Sequence, residues 1–196
     1  MAKLYFKYGA MNSGKTTTII QTAYNYESLG MKVLVIKSSI DTKGDNYLVS
    51  RIGLKRKIDF FINDGDNIYN IIKDKYKDIS CLLIDEAQFL EEAQVDQLLM
   101  IAAKLNIAVI CYGLRCDFQM KGFRGSPRLL SIADKIEEIK TICECGHKAT
   151  INVRKINDKY IFDGDQIAID GEDSVSYESM CPSCYFKIKE KKKSVV

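Results

Sequence analysis

Gly9, Gly14, Lys15 and Thr16 fit the spacing G-x-x-x-x-G-K-[ST] inside "YGAMNSGKTTTI". Glycines let the backbone wrap until its N–H groups converge, the lysine reaches outer phosphate oxygens, and the hydroxyl ligates magnesium. Residues Gly9, Ala10, Met11, Asn12, Ser13, Gly14, Lys15 and Thr16 therefore form a candidate cradle for a nucleoside triphosphate such as ATP. A second group lies in "LLIDEAQF". Asp85 ends an apolar run there and is placed to share the magnesium ion with Thr16. Glu86 follows it and has two chemical readings: it polarises water, as in an ATPase, or takes a proton from an alcohol, as in a kinase. A carboxylate favoured at a helix start is the third, inert reading. Ala87 and Gln88 continue the same phosphate-site stretch.

Cysteines form the other chemical constellation. Cys143 and Cys145 make C-x-C, and Cys181 and Cys184 make C-x-x-C. Two close pairs around a β-rich stretch have the layout of a zinc ribbon, and four thiolates leave Zn2+ no open position, so the expected role is structural. His147, the one histidine, is expected at an exposed turn. Cys81 and Cys111 read as small buried strand residues, and Cys116 lies apart.

Elements must hold these groups in place. "LYFKY", 32–37, 81–85 and 108–114 are apolar, β-branched runs that suit strands buried on both faces. "TTTIIQTAYNYESLG", "DNIYNIIKDKY", "EEAQVDQLLMIAAKLN" and the shorter "SPRLLSIADK" have helical character. The expected fold is α/β: a mostly parallel sheet with helices on both faces, of the P-loop NTPase kind. After about residue 140 turn signals and short alternating stretches replace helices, which suggests a small zinc-ribbon-like β subdomain. The expected division is 1–140, 141–190, and a basic tail at 191–196. The polar stretch 38–57 is long for a plain loop and reads as a mobile or a functional one.

At 196 residues, 46% of them apolar, the chain has enough material for a core. A net charge of +3, concentrated in "KIKEKKK", is small for a nucleic-acid binder and reads as a solvated end. No run approaches the length of a membrane span, and the seven cysteines occur without an export signal. A soluble cytoplasmic protein, with no membrane and no nucleic-acid partner, is expected. A zinc-ribbon module that binds nucleic acid is the non-enzymatic alternative.

Taken in order, "GAMNSGKT", "DEAQF", "YGLRCDFQMKGFRGS", "IADKIEEIKTICECGHKA" and "SYESMCPSCY" resemble the thymidine kinases of the cellular and bacterial type. That is a P-loop family with a zinc-stabilised lasso, and the resemblance covers nearly the whole chain. It implies phosphoryl transfer from ATP to the 5′-hydroxyl of thymidine, and of deoxyuridine, with Glu86 as general base. Met11, Leu114, Phe118 and Phe123 then correspond to the thymine pocket, although without the resemblance the two phenylalanines read as core. The resemblance also implies substrate contacts from Asp41 and Gln88, and from the lasso segment Ile169 to Tyr177 through Ile169, Gly171 and Tyr177. Lys43 stands where the family has an arginine, and the stretch around Arg51 lacks its histidine. A homotetramer and feedback inhibition by thymidine triphosphate (dTTP) are further implications.

Overall fold

The computed structural model describes residues 1–41, 45–166 and 175–193, with backbone alone for 192 and 193. Chain order begins with β1 (Leu4–Tyr8), α1 (Lys15–Glu27) and β2 (Lys32–Ser38). A small hairpin follows, β3 (Tyr47–Val49) and β4 (Lys55–Lys57), then β5 (Phe60–Ile62) and α2 (Ile68–Lys75). Next come β6 (Ile79–Asp85), a single 3-10 turn at Ala87–Phe89, α3 (Glu92–Leu105) and β7 (Ala108–Gly113). α4 (Ser126–Ile132) and β8 (Lys135–Glu138) close the larger unit.

These strands form one six-stranded sheet in the order β5-β2-β6-β7-β1-β8, parallel at every pairing. Its strands bury both faces because neighbouring side chains in each apolar run serve opposite clusters. Leu34, Ile36, Leu82, Ile84, Val109 and Cys111 face a cluster closed by α2, α3 and α4. Val33, Val35, Cys81, Leu83, Ile110 and Tyr112 face the other, closed by Ile19 and Ala23 of α1. Cys81 and Cys111 are buried strand thiols, as expected. The edge strands were not evident in the sequence. β8 is "KIEE", charged and largely exposed, and is tied to β1 by the Lys7–Glu137 ion pair at 2.9 Å. β5 is only three residues long. The stretch 38–57 is partly ordered as the β3/β4 hairpin, with Leu48 buried against the α1 side.

The cysteine-bearing region is antiparallel. β9 (Thr141–Ile142) and β10 (Lys148–Ala149) make a hairpin. β11 (Ile151–Ile156) is central between β12 (Lys159–Ile161) and β13 (Val175–Met180). One expectation fails here. The sequence showed no helix of core length after residue 140, yet α5 (Pro182–Lys193) runs for 12 residues. Pro182 opens it, where a missing N–H costs nothing, and Tyr185 anchors it by burial beside Phe162. The lysine run that read as a solvated end continues into this helix.

Candidate functional site

The phosphate loop spans the gap between β1 and α1, at the carboxyl edge of the sheet. Gly14 has φ +82°, a conformation open to glycine at no cost. A Cβ on Gly9 would lie 2.5 Å from the Ile139 carbonyl, so that position has no room for a side chain. The Lys15 ammonium donates to the carbonyls of Gly9 at 3.2 Å and Ala10 at 2.9 Å, curling back over the loop. Burial pulls its pKa below the ordinary lysine value, while the nearby charges of Glu86 and Asp85 pull it up. A cleft of about 340 Å³ opens here. It is lined by Met11–Thr17, Lys37, Asp41, Tyr47–Ile52, Asp85, Glu86 and Leu114.

Thus Thr16, Asp85 and Glu86, far apart in sequence, line one cavity. Asp85 is 4% exposed, and burial together with the adjacent Glu86 charge holds its carboxyl well above the usual carboxylate range. Lys37 and Lys15 act in the opposite sense. A divalent cation between Asp85 and the Thr16 hydroxyl would remove that cost, so the donor set suits magnesium. Lys37, 2% exposed, pairs with Asp41 at 3.0 Å, which fixes Asp41 on the cleft wall. Arg51, in the turn that connects β3 to β4, lines the same wall. Lys43 lies outside the described residues.

Glu86 occupies the left-handed region at φ 52° and ψ 38°, which for a non-glycine residue costs on the order of 1 kcal/mol. The strain is held by its neighbours. Its N–H donates to Asp85 Oδ1 at 3.0 Å, and its carboxylate accepts from Gln88 Nε2. Gln88, fully buried, accepts in turn from the Leu114 N–H at 3.0 Å. The chain Leu114–Gln88–Glu86 aims the carboxylate into the cleft from the end of β6. Ala87, by contrast, packs into the core.

Among the expected base-pocket residues, Met11 and Leu114 line the cleft, whereas Phe118 and Phe123 are 1% and 6% exposed. Phe123 meets Phe89 edge-on at 5.5 Å. Phe118 lies under the guanidinium of Arg154, 3.8 Å from ring centre. The Tyr177 hydroxyl accepts from Arg154 Nε–H at 2.9 Å. Ile169 and Gly171 lie outside the described residues. Two residues of β11 went unnoticed in the sequence: Arg154, and Asn152, which accepts from the Met11 N–H at 2.7 Å and donates to the Cys116 carbonyl at 3.1 Å. The signal was present in "INVRKI". Polar residues two apart in a strand share a face; here Asn152 meets the phosphate loop at Met11, and Arg154 meets Phe118 and Tyr177.

The four expected metal-binding thiols do converge: the sulfurs of Cys143, Cys145, Cys181 and Cys184 lie within 4.8 Å of one another. Cys145 and Cys181 are 3.5 Å apart, against roughly 3.8 Å across a tetrahedral zinc with thiolate ligands. The N–H groups of Cys145 and Cys181 lower Cys143 to about 7, while contacts with Cys145 and Cys181 push Cys184 up to about 12. Four crowded thiols cannot all ionise unaided, and a divalent cation is what would let them. His147 is exposed, with Nδ1 3.4 Å from Cys145 Sγ.

A glycine loop running into α1, with an acidic pair ending a parallel strand across the same cleft, defines a nucleotide-binding protein of the P-loop class. Comparison with known proteins narrows this. The family model described as thymidine kinase matches residues 2–185, and the chain belongs to that family. It is similar to the thymidine kinase of Mesorhizobium japonicum, 49% identical over 92% of this chain and 89% of that one. Similar too are those of Chromobacterium violaceum, 46% identical over 94% and 98%, and Streptococcus gordonii, 46% over 95% and 97%.

Proposed function

We propose that the protein transfers the γ-phosphoryl group of ATP to the 5′-hydroxyl of thymidine, giving dTMP and ADP, and that it also accepts deoxyuridine. The observation that carries the reading is the fixed, strained Glu86, aimed into the phosphate cleft by Gln88. In this reading Gly9–Thr16 cradle the triphosphate, and Lys15 swings from its loop carbonyls to the outer phosphate oxygens. Thr16 and Asp85 would hold the magnesium ion that offsets phosphate charge. Glu86 takes the 5′-hydroxyl proton, and Asp41 and Gln88 position the sugar end. Met11, Leu114, Phe118 and Phe123 enclose the planar, methylated base, with Tyr177 and the segment from Ile169 at its edge.

In this reading residues 1–140 form the P-loop kinase domain, 141–190 the zinc-binding lasso subdomain, and 191–196 a basic end. Cys143, Cys145, Cys181 and Cys184 would hold a structural zinc ion. A homotetramer, feedback inhibition by dTTP and a cytoplasmic location belong to the same reading, and among the described residues no helix is long and apolar enough to cross a membrane. The test is phosphoryl transfer from labelled ATP to a panel of deoxynucleosides. Thymidine monophosphate should form, with ATP consumption that depends on added thymidine. Thymidine-independent hydrolysis would replace this reading with an ATPase.

A further inference from the structure

We infer that Arg154 is a positioning residue for nucleoside recognition: it locks Phe118, Tyr177 and the 164–166 turn into one unit that presents the base-binding side chains. The inference rests on the nucleoside kinase reading above and extends it to a residue that touches neither phosphate nor metal.

Arg154 sits mid-way along β11, directly opposite Tyr177 of β13, and is only 3% exposed. A buried cation ordinarily sits against a carboxylate. Among the described residues Arg154 makes no ion pair, and its donors are used on neutral groups instead. Nε–H reaches the Tyr177 hydroxyl at 2.9 Å, while Nη1 and Nη2 reach the carbonyls of Asp165 at 2.7 Å and Gln166 at 3.0 Å. Its flat face covers Phe118 at 3.8 Å, and its carbon Cζ lies 5.4 Å from the Tyr177 ring centre. The fork geometry of arginine is what lets one side chain hold two carbonyls and stack at once.

The unit is cross-braced. Gln166 Nε2 donates to Asp117 Oδ2 at 2.9 Å and to the Gly122 carbonyl at 3.2 Å, and Gln119 Nε2 donates to the Gly164 carbonyl at 2.7 Å. Asp117 also accepts from the N–H groups of Gln119 and Lys121, each at 2.8 Å. Phe118 therefore projects from a loop that is tied to β13 through Arg154, which covers its ring and bonds the Tyr177 hydroxyl. A lysine could keep the charge, but it has neither the fork nor the stacking face.

Two measurements on Arg154→Met and Arg154→Lys test this. In steady-state kinetics, Arg154→Met should raise KM for thymidine tenfold or more, leave KM for ATP within twofold, and retain wild-type zinc content. Arg154→Lys should recover part of that loss. Tyr177→Phe should add less than twofold in the Arg154→Met background, because the hydroxyl has already lost its partner. Amide hydrogen exchange is read without substrate: protection should fall across 116–122 and 164–166 while 9–16 stays unchanged. Equal rises in both KM values, or exchange that increases throughout the chain, would make Arg154 a general stability residue and overturn the inference. So would unchanged exchange at 116–122. If no nucleoside is phosphorylated by the wild-type protein, the function reading fails, and the exchange comparison still decides whether Arg154 positions the loop.

Discussion

The parallel sheet and the cysteine-bearing β region reach order by different means. The sheet buries Leu82, Leu83, Ile84 and Val109 completely, between helices on both sides. Among its described residues the smaller region buries Ala149, Ile151, Val153, Phe162, Met180 and Tyr185 with Cys143 and Cys181, and Tyr160, Cys184 and Ile188 are partly buried against them. A core of that size does not offset the conformational entropy of its own strands. The difference separates the duties as well. In the proposed reading, phosphate chemistry rests on the sheet, and Tyr177 and the segment from Ile169 lean on the region whose four thiols would hold a metal. β11 joins them, with Ile151 and Val153 in the thiol-side cluster, Asn152 bonded to the phosphate loop at Met11, and Arg154 set between Phe118 and Tyr177.

The sharpest way to break this comparison is to remove a ligand of the proposed zinc site. Structural zinc contributes about 10–16 kcal/mol in small domains. Cys181→Ser should therefore abolish bound zinc and weaken thymidine binding by roughly 100-fold or more, with ATP binding within a fewfold. Titration calorimetry with each ligand, alongside zinc assay, reads this. Equal loss of both affinities would mean that the two regions are one cooperative unit.

Glu86→Gln comes next. Turnover should fall by roughly 10²–10⁴, the usual contribution of a positioned general base, with ATP affinity and zinc content unchanged. Activity near that of the wild type would remove Glu86 from the chemistry. Leu83→Ala probes the sheet alone. It should cost about 2–5 kcal/mol in urea unfolding, as other large-to-small changes at fully buried sites do, while zinc per folded molecule stays constant. A fall in zinc content would show that the sheet supports the thiols directly.

The smallest effect expected is a gain. A carboxyl whose pKa is raised by folding binds its proton more tightly in the folded state, so its ionisation weakens the fold as pH rises. Asp85 is such a group. Without magnesium, Asp85→Asn should raise Tm by a few degrees at pH 8, at roughly 2–4 °C for each kcal/mol. The gain should grow as pH climbs above the ordinary carboxylate range. Differential scanning calorimetry across pH reads it, and a loss of Tm that grows as pH rises would show that the Asp85 charge is stabilising.

The contrast between regions also governs what was legible in the sequence. The central strands declared themselves through long β-branched runs, since burial on both faces leaves little choice of residue. β5 and β8 did not, because an edge strand has one free side and can be short or charged. α5 was hidden by its lysines: its apolar contact is mostly Tyr185, and the thiols that start it read as a metal motif rather than a helix start. In the site, the glycine loop and the Asp85–Glu86 pair were plain because phosphate chemistry restricts both residue type and spacing. Arg154 and Asn152 were not. Their importance comes from partners on other elements, which a lone strand sequence does not reveal.

α5 has a consequence for the order in which the protein assembles. Cys184 lies in its first turn, with its N–H 3.4 Å from the sulfur of Cys181 just before it. Isolated helices of about 12 residues are marginal because the first turn is unfavourable to nucleate, and a run of lysines repels itself. A chelated ion at Cys181 and Cys184 would supply that nucleus. Its other two ligands sit far upstream, Cys145 being 36 residues before Cys181, so the ring cannot close until the later pair has been synthesised. A nascent chain can then complete its parallel sheet and phosphate loop while the nucleoside side is still open. Helical circular dichroism regained on adding zinc to the metal-free protein would report that last step.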